Sequence, residues 1–119
     1  MTILLDERPT ISIEDIENVG VNYTDHLNPG EILDGTPTVE EVGTSDLTIT
    51  DIAINVESYI EAYGDKDTVE VDHAVVFTLS SLTAGVYIVC VTVATLPPTS
   101  TAYTAVPRRF VRNLKFNIK

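Results

Sequence analysis

Apolar and polar residues alternate with a period of two along most of the chain, the pattern of strands with one face buried. In VEVDHAVVFTL, Val69, Val71, His73, Val75, Phe77 and Leu79 fall on one face and Glu70, Asp72 and Thr78 on the other, which predicts a single half-buried strand. The closing run opposes Leu114, Phe116 and Ile118 to Lys115, Asn117 and Lys119. It predicts a terminal strand whose charged side stays wet or meets an acidic partner. In LTITDIAINVES the phase slips, because Leu47 and Ile49 are odd-numbered while Ile52, Ile54 and Val56 are even-numbered. A bulge or turn near Asp51 is the expected cause.

One stretch breaks the alternation. In LTAGVYIVCVTVATLPPTSTAYT, the residues from Val86 to Thr95 are apolar on both faces of a two-residue repeat. Such a strand needs cover on both sides, and the expectation is a central strand covered by its own domain, with partners engaging elsewhere. Gly30, Gly35 with Pro37, Gly43, Gly64 with Asp65, and Gly85 mark turns, and Pro97 and Pro98 close the central run. This spacing suits an all-β antiparallel sandwich of about seven strands. Two stretches carry helical signals. SIEDIENV has a capping-box-like spacing but a poor apolar stripe, and residues 56–63 read equally as a short helix, with Val56, Tyr59, Ile60 and Tyr63 on one side, or as a strand.

Length and composition bound the rest: 119 residues with 44% hydrophobic content suffice for one core without metal or disulfide staples. The net charge of −11 is unevenly spread. All 18 acids and two of the seven basic residues precede position 74, so that part carries −16 and the remainder +5, with Arg108, Arg109, Arg112, Lys115 and Lys119 in the last twelve positions. An acidic total argues against nucleic acid as the main partner. The basic end of one copy can instead dock on the acidic face of another. The start MTILLDERPT lacks the basic lead and apolar length of a signal peptide or membrane span, so a soluble, cytoplasmically made chain is expected.

Candidate chemistry is sparse. Cys90 is the single cysteine, and its place in an apolar run reads as a buried small hydrophobe rather than a nucleophile. His26 and His73 have no His or Cys at metal-ligand spacing, and His73 reads as a strand-end histidine bonded to backbone. GDKDTVEVD places its glycine before its acids, against the order of a calcium loop, and reads as a charged hairpin tip. There is no GxSxG elbow and no glycine-rich phosphate cradle. The expectation is a protein that is not an enzyme and uses no cofactor or metal. In PRRFVRNLKFNIK, Phe110 and Phe116 alternate with cations, a pattern that stacking on nucleic-acid bases would use, but Phe116 falls in the core phase of the closing strand.

From Asn18 onward the order of features resembles a family of tailed-phage virion structural proteins with an immunoglobulin-like sandwich, the capsid decoration or cement proteins. The matching pieces are NVGVNYTDHLNPGEILDGTPTVE, DLTITDIAI, VVFTLSSLTAGVYIVCVTVAT and the terminal RRFVRNLKFNIK, over residues 18–119. Tryptophans frequent in the family's first segment are missing here, and residues 52–70 are longer than its usual crossing. The resemblance implies an immunoglobulin-like domain over residues 17–119 and a noncatalytic virion component on the capsid surface, made in the host cytoplasm. Its implied partners are the major capsid protein and further copies of itself.

Residues 1–16 precede the first clear strand and read as an N-terminal arm able to add a strand to a neighbour's edge, or as a disordered or intramolecular leader. The candidate partner-binding residues are therefore Ile3, Leu4 and Leu5 in the arm and the cations Arg108, Arg109 and Arg112. A second class of function, a host-surface or glycan-binding adhesin of a tail or fibre, requires an exposed aromatic cluster, for which Tyr59, Tyr63 and Tyr103 are the candidates. A neck or tail connector is the third.

Overall fold

A computed structural model of the chain describes residues 6–61, 66–97 and 106–119. Within them lie nine strands: β1 (Asp6–Glu7), β2 (Glu17–Asn22), β3 (Ile32–Val42), β4 (Leu47–Ile54), β5 (Tyr59–Ile60), β6 (Thr68–Val69), β7 (Ala74–Ser81), β8 (Gly85–Leu96) and β9 (Arg109–Ile118). Three of these are two-residue strands, and a single 3-10 turn spans Thr24–His26. One sheet has the order β1-β9-β8-β3, another β2-β7-β4, and β5 and β6 form a short ribbon. All pairings are antiparallel except that of β1 with β9.

The two larger sheets meet in one core, as the alternation requires. Val19, Val21, Val75, Phe77 and Leu79 from one sheet pack with Leu33, Val39, Tyr87, Val89, Val91, Val93, Leu114, Phe116 and Ile118 from the other. The expected phase slip in β4 is a bulge: Asp51 has φ 57°, and the register to β7 shifts between Thr50 and Ala53. That extra residue lets Leu47, Ile49, Ile52 and Ile54 all pack against the core. A second register shift lies between Asp34 and Thr38 of β3, where Gly35 takes φ 82°.

Two expectations change. The run from Val69 to Leu79 is not one strand, because a turn at 71–73 with Asp72 at φ 63° separates β6 from β7 and leaves Val71 exposed. Asn55 holds this turn. Buried at 4% exposure, it accepts from the amides of His73 at 3.1 Å and Ala74 at 2.9 Å and donates to the carbonyls of Glu57 at 3.0 Å and Glu70 at 2.8 Å. His73 is half-buried, within 3.4 Å of the Thr24 hydroxyl. Of the ambiguous segment, residues 59–60 are strand; residues 62–65, including Tyr63, lie outside the described residues.

The leader follows one of the courses left open to it, since its described part lies against its own chain. β1 runs parallel to β9, Arg8 N donates to Lys115 O and Ile11 N to Asn117 O, both at 3.0 Å, and Ile11 enters the core at 6% exposure. The second change concerns β8. Only its odd-numbered residues face the core; the even-numbered set faces outward, with Val86 at 59% exposure and Leu96 at 48%. Cys90 belongs to this outer set and is half-buried rather than a core residue. Among the described residues only one face of the central strand is therefore fully buried.

Candidate interaction surface

The arginine cluster lies at the start of β9, where strand alternation divides it. Arg108 precedes the strand and is tied down by β8, since its amide donates to the Thr95 hydroxyl at 2.8 Å and its carbonyl accepts from the Thr95 amide at 2.9 Å. Its guanidinium then reaches Glu31, the last residue before β3. Nε donates to one carboxylate oxygen at 3.0 Å, a terminal nitrogen to the other, and the same nitrogen to His26 O at 2.7 Å. Glu31 is only 2% exposed and also accepts from the Asn28 amide at 2.9 Å. The Arg108 bonds, helped by those from Asn28 and Thr95, outweigh burial and hold the Glu31 carboxyl at about 2 against an ordinary 4.5.

Arg112 faces inward at the same end of the sandwich. Its guanidinium lies 4.8 Å from the Tyr23 ring centre, donates to His26 Nε2 at 2.6 Å and reaches Asn22 O at 3.4 Å. Tyr23 stacks on Phe110 at 5.4 Å, and Arg108 lies 5.0 Å from the Phe110 ring centre on the same stack. The aromatic and cationic residues of this segment therefore recognise one another.

Arg109 is different. It pairs in register with Ala94, on the outward alternation of β9, is exposed, and among the described residues its side chain has no hydrogen-bond or ionic partner. Of the sequence-selected cations, two are engaged within the chain and one is available to a partner. Ile3, Leu4 and Leu5 lie outside the described residues, as does Tyr103.

Around Arg109 extends the outer face of the four-stranded sheet. Row by row, Val42, Ile88 and Lys115 align across β3, β8 and β9, then Glu40, Cys90 and Asn113, then Thr38, Thr92 and Val111, then Asp34, Ala94 and Arg109. Val42 and Val111 are 50% and 56% exposed. The doubly apolar run in β8 is the sequence signal for this surface, and reading it as covered on both sides conceals it.

A groove of about 900 Å³ opens between Arg8–Ile11, β2, the β5 segment and β7. Arg8 bridges it by donating to Gly20 O at 2.9 Å. Tyr59 lies so close over Gly20 that a Cβ there would meet its hydroxyl, so a larger residue would displace the phenol end of that side chain. Burial, aided by Glu61 and opposed by Arg8, raises the Tyr59 phenol above its ordinary range.

Among the described residues no group of three or more His, Cys, Asp or Glu side chains is placed to hold a metal, and no helix is long and apolar enough to cross a membrane. Comparison with known proteins returns no match to a family model, a curated sequence or a solved structure.

Proposed function

We propose that the chain is a noncatalytic virion structural protein, an immunoglobulin-like module that decorates or cements the outer surface of a tailed-phage capsid through repeated contacts. The observation that supports the immunoglobulin-like part of this reading is the strand order. β2, β7 and β4 correspond to strands B, E and D of an immunoglobulin sandwich, and β3, β8 and β9 to C, F and G, with β1 parallel to the last strand. A local feature supports the same assignment. Tyr87, near the start of β8, turns its hydroxyl back to donate to Thr83 O at 2.9 Å, the geometry of the tyrosine corner at the start of strand F. The place in the virion rests on the residue resemblance from Asn18 to Lys119, and repetition over a lattice lets weak contacts add up. Its partners are the major capsid protein and copies of itself.

The test is co-sedimentation of the purified chain with emptied shells of the matching capsid protein, followed by electron microscopy of the decorated particle. Saturable binding at fixed lattice positions is expected; absence of binding to shells removes the proposal. The groove beside Tyr59 favours one alternative, a glycan-binding adhesin, which predicts oligosaccharide binding by the isolated domain that Tyr59→Ala abolishes.

A further inference from the structure

The outer face of the β1-β9-β8-β3 sheet is polarised across its strands. Acidic Asp34 and Glu40 stand on β3, an apolar row of Val86, Ile88 and Cys90 runs down β8, and Arg109 stands on β9. Asp34 and Arg109 occupy the same row, two strand spacings or about 9.5 Å apart. Among the described residues neither side chain, nor that of Glu40, has a hydrogen-bond or ionic partner.

We propose that this face is covered by the same face of a second copy, related by a two-fold axis that runs along β8. The charge pattern selects that axis. Rotation about β8 lays β9 of one copy over β3 of the other, so each Arg109 meets the second copy's Asp34, and both pairs form at once. Rotation about an axis across the strands lays β3 over β3 and acid over acid, which repels. The apolar row on β8 then covers itself, as an isologous interface requires, at the sheet spacing of about 10 Å. Val86, Val42 and Val111, each half-exposed or more in the single chain, leave water together. Self-association by this face is independent of the virion assignment and stands or falls separately from it.

Cys90 lies on the proposed axis and gives the readout. A bismaleimide spanning about 10 Å should link two full-length chains through Cys90, and Cys90→Ser should abolish the link. Asp34→Arg and Arg109→Glu should each weaken association about tenfold, since each turns two attractive contacts into repulsive ones. Mixing the two variants should restore it. The new glutamate of the Arg109→Glu chain then faces the new arginine of the Asp34→Arg chain, while the unaltered Asp34 of the first faces the unaltered Arg109 of the second. Sedimentation velocity reads the stoichiometry. A chain that stays monomeric at hundreds of micromolar overturns the proposal, and so does a mixture that associates no better than its components. Cys90 protection seen only on capsid shells gives the face to the capsid protein and overturns it as well.

Discussion

Arg108 and Arg109 are neighbours in sequence, yet the two regions they enter work by opposite rules. Arg108 turns into the end of the sandwich, where the buried Glu31 carboxylate is bonded through both oxygens; Arg109 turns onto a half-apolar sheet face where Asp34, in the same row, stands two strands away. In the first region charge is consumed by the fold, and removing it leaves a buried group unsatisfied. In the second region charge is left over, and removing it disturbs nothing inside the chain. A cluster of cations in a sequence is therefore not one surface, because strand alternation sends its members to different sides.

The sharpest break of this contrast is Glu31→Ala. It removes the acceptor shared by Asn28 and Arg108 and leaves the guanidinium beside a cavity, and a loss of about 2 kcal/mol is expected in urea unfolding. Arg108→Ala should act in the same direction, and Arg108→Lys should recover part of the loss, because lysine keeps the charge but not the paired donors.

Acid sharpens the same region. The Glu31 carboxyl lies at about 2 in the folded chain against an ordinary 4.5, so the unfolded state binds the proton first as pH falls. The stabilisation is complete above about 4.5 and is lost as pH drops toward 2. Unfolding midpoints of the parent and the Arg108→Ala variant, measured across that range, should converge as pH falls. Parallel, offset curves would mean that the difference does not come from the ionised Glu31 carboxylate.

The alternation that separates the two arginines is legible in the sequence in places and concealed in others. Period alone assigns Leu114, Phe116 and Ile118 to the core, and the bulge at Asp51 follows from the change of phase in β4. The turn at Asp72 is hidden because Val71 and His73 continue the period of two while the backbone reverses there, held by Asn55 from beyond the end of β4. Glu31 gives no signal, since one acid among 18 looks like any other until Arg108 is brought to it across 77 positions. Cys90 misleads for the converse reason. With both alternations of β8 apolar, the sequence says that two faces need cover but not that only one is buried among the described residues.

Arg112 lies between the extremes. It caps the Asn22 carbonyl at the end of β2 and sits over Tyr23, yet its side chain remains half-exposed. Arg112→Ala should cost about 1 kcal/mol, from the lost ring contact and hydrogen bonds. Tyrosine fluorescence should change with it, because Tyr23 loses the cation on its ring.

Arg109→Ala should have the smallest effect on the folded chain, within about 0.5 kcal/mol of the parent, as expected for an exposed side chain away from caps, strain and buried partners. The same substitution should weaken self-association, because each copy then faces Asp34 without a cation. Denaturant unfolding at a concentration where sedimentation finds single chains isolates the first quantity, and sedimentation at high concentration isolates the second. A stability loss comparable to that of Glu31→Ala would mean that Arg109 also belongs to the fold, and the division of labour along β9 would disappear.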